Sequence, residues 1–296
     1  TDGNDDVIST GDDVDVVIGG TGSDTIDVRE NRNVVIGDNG EVTFDGAGQW
    51  LDVATTATDV GGDDSIRSGN AVDLAFGGIG HDTIDLSNAD NVAAGDNAAA
   101  TFNSAGQILT VTTHSPQHAG QDTITTGSGN DVVFGGTDDD TIDVANGQNV
   151  VAGDNANATF DTSGQIRTVT TSDSTHLGHD TVTSGIHDDL VFGGSGKDSV
   201  TVTDGDNTVL GDNGQADINA AGFVTRLQSL TPGTGDDDDI RTGAGQDLVI
   251  GGAFHDAIRT AAGRDLIFGD NARIEGHIDL NSQPLNSQTP DFTFTS

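Results

Sequence analysis

The triplet Gly-Asp-Asn stands at Gly37, Gly95, Gly153, Gly211 and Gly269, and the pair Gly-Gly at Gly19, Gly77, Gly135, Gly193 and Gly251. Both series advance in equal steps, with no insertion or deletion. Stacked units that share a continuous interior do not tolerate length changes, whereas beads on flexible linkers do. The 296 residues are therefore read as one continuous solenoid of five units, 1–58, 59–116, 117–174, 175–232 and 233–296, the last with a divergent tail.

Inside each unit runs a shorter beat. Asp6, Asp15, Asp24 and Asn33 recur at every ninth position, and each is followed two positions later by an aliphatic residue: Ile8, Val17, Ile26 and Val35. Unit three repeats this with Asp122, Asp131, Asp140 and Asn149 ahead of Ile124, Val133, Ile142 and Val151. Gly-rich turns precede the acids, as in Gly19-Gly20-Thr21-Gly22-Ser23-Asp24, Gly193-Gly194-Ser195-Gly196-Lys197-Asp198 and the weaker Thr126-Gly127-Ser128-Gly129-Asn130-Asp131. The pattern is G-G-x-G-x-D-x-U-x, with U a large aliphatic residue. A nonapeptide suffices for one short strand and one turn, and two nonapeptides make one coil. The U side chains then point inward, and turns one coil apart stack at about 4.8 Å on one edge. Asp6 is expected beside Asp24, and Asp15 beside Asn33.

These motifs resemble the repeats-in-toxin (RTX) calcium-binding nonapeptide family, over roughly 36 of every 58 residues. The resemblance implies an all-β parallel β-roll with Ca²⁺ held between successive turns by loop carbonyls and the Asp at position six. It also implies type I secretion in unfolded form and folding outside the cell. Carried onto this chain, the ligands are Asp6, Asp15, Asp24, Asp64, Asp73, Asp82, Asp122, Asp131, Asp140, Asp180, Asp189, Asp198, Asp238, Asp247, Asp256 and Asp265. Ligand chemistry points the same way, since Ca²⁺ takes about six to eight oxygens in adaptable geometry. Departures are visible: Asn33, Asn91, Asn149 and Asn207 offer a neutral carbonyl, which is expected to weaken or delete those sites. Turn glycines are also replaced in Gly251-Gly252-Ala253-Phe254-His255-Asp256 and in Val28-Arg29-Glu30-Asn31-Arg32-Asn33, so some sites are expected to be empty.

Charge explains why a cation is needed. Of 49 acidic residues only Glu30, Glu41 and Glu275 are Glu, and Asp favours turns and short-armed ligation over helices. The net charge is −39, with one Lys and nine Arg, which excludes nucleic acid as a partner and disfavours anionic membranes. No stretch approaches the roughly 18 apolar residues of a membrane span. Thr1 to Thr10 lack the basic and apolar regions of a signal peptide, and without an initiator Met the chain is expected to be a segment of a longer protein. Absence of Cys removes disulfides and thiolate sites. A hydrophobic fraction of 32% at this charge would ordinarily leave a chain disordered. Each unit carries about −8, so about two to four Ca²⁺ per unit would cancel half to all of it. Without them, acids on stacked turns repel within a Debye length; with them, binding free energy becomes folding free energy.

The remainder of each unit is not made of nonapeptides. Thr159-Phe160-Asp161, a Gly-containing connection and Ile166-Arg167-Thr168-Val169 resemble an antiparallel hairpin with a four- or five-residue loop. Alternatively the nine-residue beat continues through Phe44 and Val53, Phe102 and Val111, giving an enlarged coil. Pro116 and Pro232 favour an insertion that leaves the roll and returns. The Asp of the triplet (Asp38, Asp96, Asp154, Asp212, Asp270) either caps a calcium row or forms an Asx-type turn closing the coil.

Catalysis is not expected. A triad needs a unique strained nucleophile, whereas every candidate here has near-copies in the other units. His81, His179 and His255 occupy the variable position before an Asp, and His114, His118 and His176 lie in irregular loops. The Asp236-Asp237-Asp238-Asp239 run falls on a turn, where ligation by Asp238 is expected. Three functions remain. The first is a non-enzymatic, calcium-stiffened rod of a secreted or cell-surface adhesin, filament, surface layer or matrix, adding copies end to end. The second is the carboxy-terminal export and folding module of a secreted hydrolase. The third, ice binding, requires a flat Thr face. The stretch from Ile278 to Ser296, with Pro284 and Pro290, loses the pattern and is expected to begin a new segment or contact another chain.

Overall fold

Branched aliphatic residues flanked by Thr, Ser and Asp leave each nonapeptide room for a short strand, after which Gly or a short polar side chain turns the chain. In the computed structural model, which describes residues 3–118, 120–172, 176, 178–276 and 292–295, this produces a regular succession of short strands without a helix among the described residues. Unit three is typical: Thr123–Thr126, Val132–Gly136, Thr141–Val144 and Val150–Asp154 wind two coils, and the segments Ala156–Phe160 and Ile166–Thr171 follow.

Odd strands of the coils form one ten-stranded parallel sheet from Val7–Ser9 to Ala257–Arg259, and even strands form a second from Val16–Ile18 to Leu266–Asp270. The register alternates between a short and a long sequence separation. Ile124 pairs with Ile142, and Ile142 with Val182. The longer coil contains the segment that departs from the nonapeptide pattern. That segment is an antiparallel hairpin and not an enlarged coil, as in Ala156–Phe160 with Ile166–Thr171. Its loop is fixed by an Asx cap: Asp161 Oδ1 accepts from the N–H groups of Ser163 (2.7 Å) and Gln165 (3.1 Å). Asp45, Asn103 and Asn219 do the same in their units.

Successive hairpins pair edge to edge into a third ten-stranded sheet. A hydroxyl stitches each junction: Thr113 Oγ1 accepts from Ala156 N–H (3.0 Å) and donates to its carbonyl (3.3 Å). Two cores result. One lies between the parallel sheets and contains Ile26, Val35, Ile66, Ile124, Val133 and Val191. The other lies between the second parallel sheet and the hairpins, where Phe76, Phe134 and Phe192 meet Ala98, Ala156 and Val169. The second sheet is consequently buried on both faces, whereas strands of the first alternate exposed and buried residues. The tail from Ile278 lies outside the described residues, apart from Phe292–Thr295, whose backbone pairs with Arg273–Gly276. Among the described residues no helix is long and apolar enough to cross a membrane.

Candidate metal centre

The turns that lead from the second parallel sheet into the first line one edge of the roll, and each ends in an Asp. That Asp is tied to the next by its own backbone. The N–H of Asp24 donates to Asp64 Oδ1 (2.7 Å), Asp64 to Asp82 (2.7 Å), Asp82 to Asp122 (2.7 Å) and Asp122 to Asp140 (2.7 Å). The series runs on through Asp180, Asp198, Asp238 and Asp256, and begins at Asp6. One oxygen of every carboxyl from Asp24 to Asp256 is used in this way, while the Oδ2 atoms of the same residues are buried and accept no hydrogen bond. Asp24 to Asp238 in this row are at most 2 % exposed.

Each free Oδ2 faces the same companion. A Cβ added to Gly19 would fall on Asp24 Oδ2 and on the carbonyl oxygen of Gly37; one added to Gly77 would fall on Asp82 Oδ2 and the Gly95 carbonyl. The cradle recurs nine times, from Gly19 to Gly251, always built from one carboxylate oxygen and one carbonyl oxygen of the following turn. Oxygens crowded this way with no donor between them make a poor resting state. Burial pushes the Asp64 carboxyl from its ordinary 3.8 up to about 8 and that of Asp238 up to about 9. Burial, reinforced by neighbouring carboxylates, also holds Asp82, Asp122, Asp140, Asp180 and Asp198 well above that value.

The Gly-Asp-Asn triplet is half of such a turn. Gly37 lies one coil after Gly19, and its cradle is completed by Asp64 across the whole hairpin. The Asp that follows takes the place of the second glycine. Asp38 accepts from Gly62 N–H (3.1 Å) on the far side of the hairpin and from Ile79 N–H (2.6 Å) on the next turn, and Asp96 likewise from Gly120 (3.2 Å) and Thr137 (2.6 Å). Asp154 and Asp212 accept from the N–H groups of Ser195 and Ala253. These Asp side chains rejoin a split turn and clamp it to its neighbour, which is not an Asx turn, because both partners are remote in sequence. Burial raises Asp38 and Asp212 to about 7 and Asp96 to about 8. Asp270 is exposed at the last rung.

Among the described residues no three Asp, Glu or His side chains gather into one group. The donor set is instead one isolated carboxylate oxygen per turn plus turn carbonyls, all hard oxygen, which fits a large cation with many oxygen ligands and not a transition metal. The family model for the RTX calcium-binding nonapeptide repeat matches residues 1–26, 9–43, 58–93, 118–151, 176–200, 183–215 and 247–272, more than half of the chain. The chain is an RTX calcium-binding repeat protein. No curated protein and no solved structure matches it. In this RTX roll the first-edge Asp side chains and the cradle carbonyls would hold Ca²⁺, which supplies the positive charge that so many buried oxygens lack.

The opposite edge departs from the RTX pattern. It carries Asp15, Asp73, Asp131, Asp189, Asp247 and Asp265, interleaved with Asn33, Asn91, Asn149 and Asn207 in a similar ladder, as when Asp131 N–H donates to Asn149 Oδ1 (3.0 Å). Here the second side-chain atom is often satisfied. Thr126 Oγ1 donates to Asp131 Oδ2 (2.8 Å), Thr242 Oγ1 to Asp247 Oδ2 (2.6 Å), and Ser184 to Asp189. Asn149 Nδ2 donates to the carbonyls of Ala145 (3.1 Å) and Gly147 (3.2 Å) in its own turn. Burial lifts Asp73, Asp131 and Asp189 only to about 6. The replaced glycine of unit five does not abolish its turn, because Phe254 adopts φ 72° where Gly196 has φ 127°. His81 and His179 are acceptors in an outer turn ladder, receiving the N–H groups of Gln121 and Lys197 (both 2.9 Å) on Nδ1. The family resemblance implies loop carbonyls without saying which; the one-coil phase between Gly19 and Gly37 is the signal that singles out the cradle glycines.

Proposed function

We propose that this RTX protein is an extracellular structural element: a rod that folds and stiffens when calcium fills its first edge, about two ions per unit, as part of an adhesin, filament, surface layer or matrix. The supporting observation is the unbroken row of buried, hydrogen-bond-free Oδ2 atoms, each over a glycine carbonyl. Such a row repels itself in a calcium-poor cytoplasm and is neutralised at millimolar extracellular calcium, which suits a chain exported unfolded by a type I system. Continuous strand pairing through five units suits a load-bearing rod. Circular dichroism during a calcium titration tests the reading. A coil-like signal in chelator at pH 8, a cooperative gain of β signal at sub-millimolar to millimolar Ca²⁺, reversal by EGTA and poor substitution by Mg²⁺ are expected; a fully folded chelated protein would sink it.

The two coil sheets are parallel throughout, so a second copy can add in register, and end-to-end association is part of this reading. Light scattering at high calcium should show a mass that grows with concentration, and a strict monomer counts against association. The alternative of an export module for a secreted hydrolase shares the calcium switch and separates from the rod in the full-length gene, which would encode a hydrolase domain instead of many more such units. Ice binding is disfavoured by the outward face of the first sheet. Thr83, Thr123, Thr141 and Thr181 do form an exposed rank, but the parallel rank mixes Asp85 and Asp143 with Thr125 and Thr183.

A further inference from the structure

The two edges of the roll are built from the same nonapeptide, yet their side-chain oxygens end in different states. The difference tracks one position, the fifth ahead of the turn's Asp or Asn. On the first edge that residue is glycine in every uninterrupted turn from Gly19 to Gly251, and the carboxyl Oδ2 is left facing a carbonyl. On the second edge it alternates. Ahead of the Asp residues it is Thr10, Ser68, Thr126, Ser184 or Thr242. The last three give their hydroxyl protons to Oδ2, while Thr10 and Ser68 hold the same place with buried hydroxyls that make no hydrogen bond and leave the Oδ2 atoms of Asp15 and Asp73 as free as those of the first edge. Ahead of the Asn residues it is Val28, Leu86, Val144 or Val202, whose side chains enter the inner core.

In those aliphatic turns the Asn amide points back into its own loop. Asn33 Nδ2 donates to the carbonyls of Arg29 (3.0 Å) and Asn31 (2.8 Å), Asn91 Nδ2 to Ser87 (2.8 Å), and Asn207 Nδ2 to Thr203 (3.2 Å) and Gly205 (3.0 Å). Calcium is bound by oxygen lone pairs, so a donor already seated on them competes with it directly. Unit five supplies an internal control. The aliphatic position there becomes Thr260, and the Asn becomes Asp265, so the two residues change together.

We infer that calcium occupies the first edge of the roll and not the second edge from Asn91 to Asp247, where the protein's own amide and hydroxyl donors close the turns, with the fifth residue before each turn acid deciding between the two. This rests on the calcium reading above and sets its extent. The chain then takes about one ion per cradle, about nine in all. The second edge is the part of the roll that can zip without metal.

The test counts calcium on the metal-stripped full chain by equilibrium dialysis with radioactive CaCl₂. Wild type should hold about nine ions. The double variant Asp131→Asn, Asp189→Asn should keep that count, and Asp140→Asn should lose at least one ion. Asn149→Asp, which trades a donor for a charge at a self-closed turn, should gain none. About twice that number in the wild type, loss of two ions in the double variant, or a gained ion in Asn149→Asp would each overturn the assignment while leaving calcium-driven folding intact. A wild-type chain that binds no calcium would remove both together.

Discussion

Phe254 shows what a turn position costs when its residue is wrong for it. Its φ of 72° lies in the positive region that Gly22, Gly80 and Gly196 occupy in other units, and the residue is 60 % exposed, so little packing compensates. An L-residue there is disfavoured by about 1–2 kcal/mol. Phe254→Gly should stabilise the calcium-loaded protein by about 1 kcal/mol once glycine's greater unfolded-state entropy is subtracted. A thermal melt in saturating calcium checks this, and an unchanged or lower midpoint would mean the strain is relieved elsewhere. Residue-level reading of the sequence finds the Asp ladder from spacing alone, because the nonapeptide and coil phases fix which side chains share an edge. It does not find which oxygens remain free. That depends on whether a hydroxyl such as Thr126 or an amide such as Asn149 reaches the turn, a matter of ångströms that a residue pattern does not encode.

Strand against strand, size is exchanged between the second parallel sheet and the hairpin that follows it. Ile36 is followed at the fourth position by Gly40, Ala94 by Ala98, Ala152 by Ala156, and Leu210 by Gly214. A Cβ on Gly40 would overlap Ile36 Cδ1, and one on Gly214 would overlap Leu210 Cδ2, so the larger partner has taken the space the smaller gave up. Gly214→Ala should therefore destabilise by about 1–3 kcal/mol through overpacking. Adding Leu210→Ala, which recreates the Ala152 and Ala156 pair, should recover part of that loss. A double-mutant cycle from urea melts in calcium measures the coupling, and strictly additive effects would deny the exchange. The hairpin itself was legible in Thr159-Phe160 and Ile166 with their Gly-containing loop. Its side-by-side pairing into a third sheet was not, since the inner face is lined with Ala98, Ala100, Ala156 and Ala158, a pattern too weakly hydrophobic to announce a core. The Gly-Asp-Asn turn is illegible in the sequence for a related reason: its two halves are separated by the hairpin and meet only in space.

For the molecule as a whole, the row of buried carboxyls makes metal-free stability a function of pH. Folding raises these groups from 3.8, to about 7 for Asp38 and Asp212, about 8 for Asp64 and Asp96 and about 9 for Asp238. Between the unfolded and folded values the native roll binds more protons than the unfolded chain, so its stability falls as pH rises. The stabilisation is complete below about pH 4 and is lost progressively as pH climbs through about 7 to 9. On the proposed reading protons do in acid what calcium would do at neutral pH, giving the same oxygens a positive partner. Metal-stripped protein should therefore show β signal by circular dichroism at pH 5, above its isoelectric point of about 4.1 so that it stays in solution, and lose most of it by pH 8. Adding calcium at pH 8 should restore the signal and release protons, which calorimetry in buffers of different ionisation enthalpy reads as a buffer-dependent heat. A metal-free chain more stable at pH 8 than at pH 5 would show that the buried row does not carry the cost of folding, and that the acids repel less than the hydrogen-bonded second edge and the two cores hold.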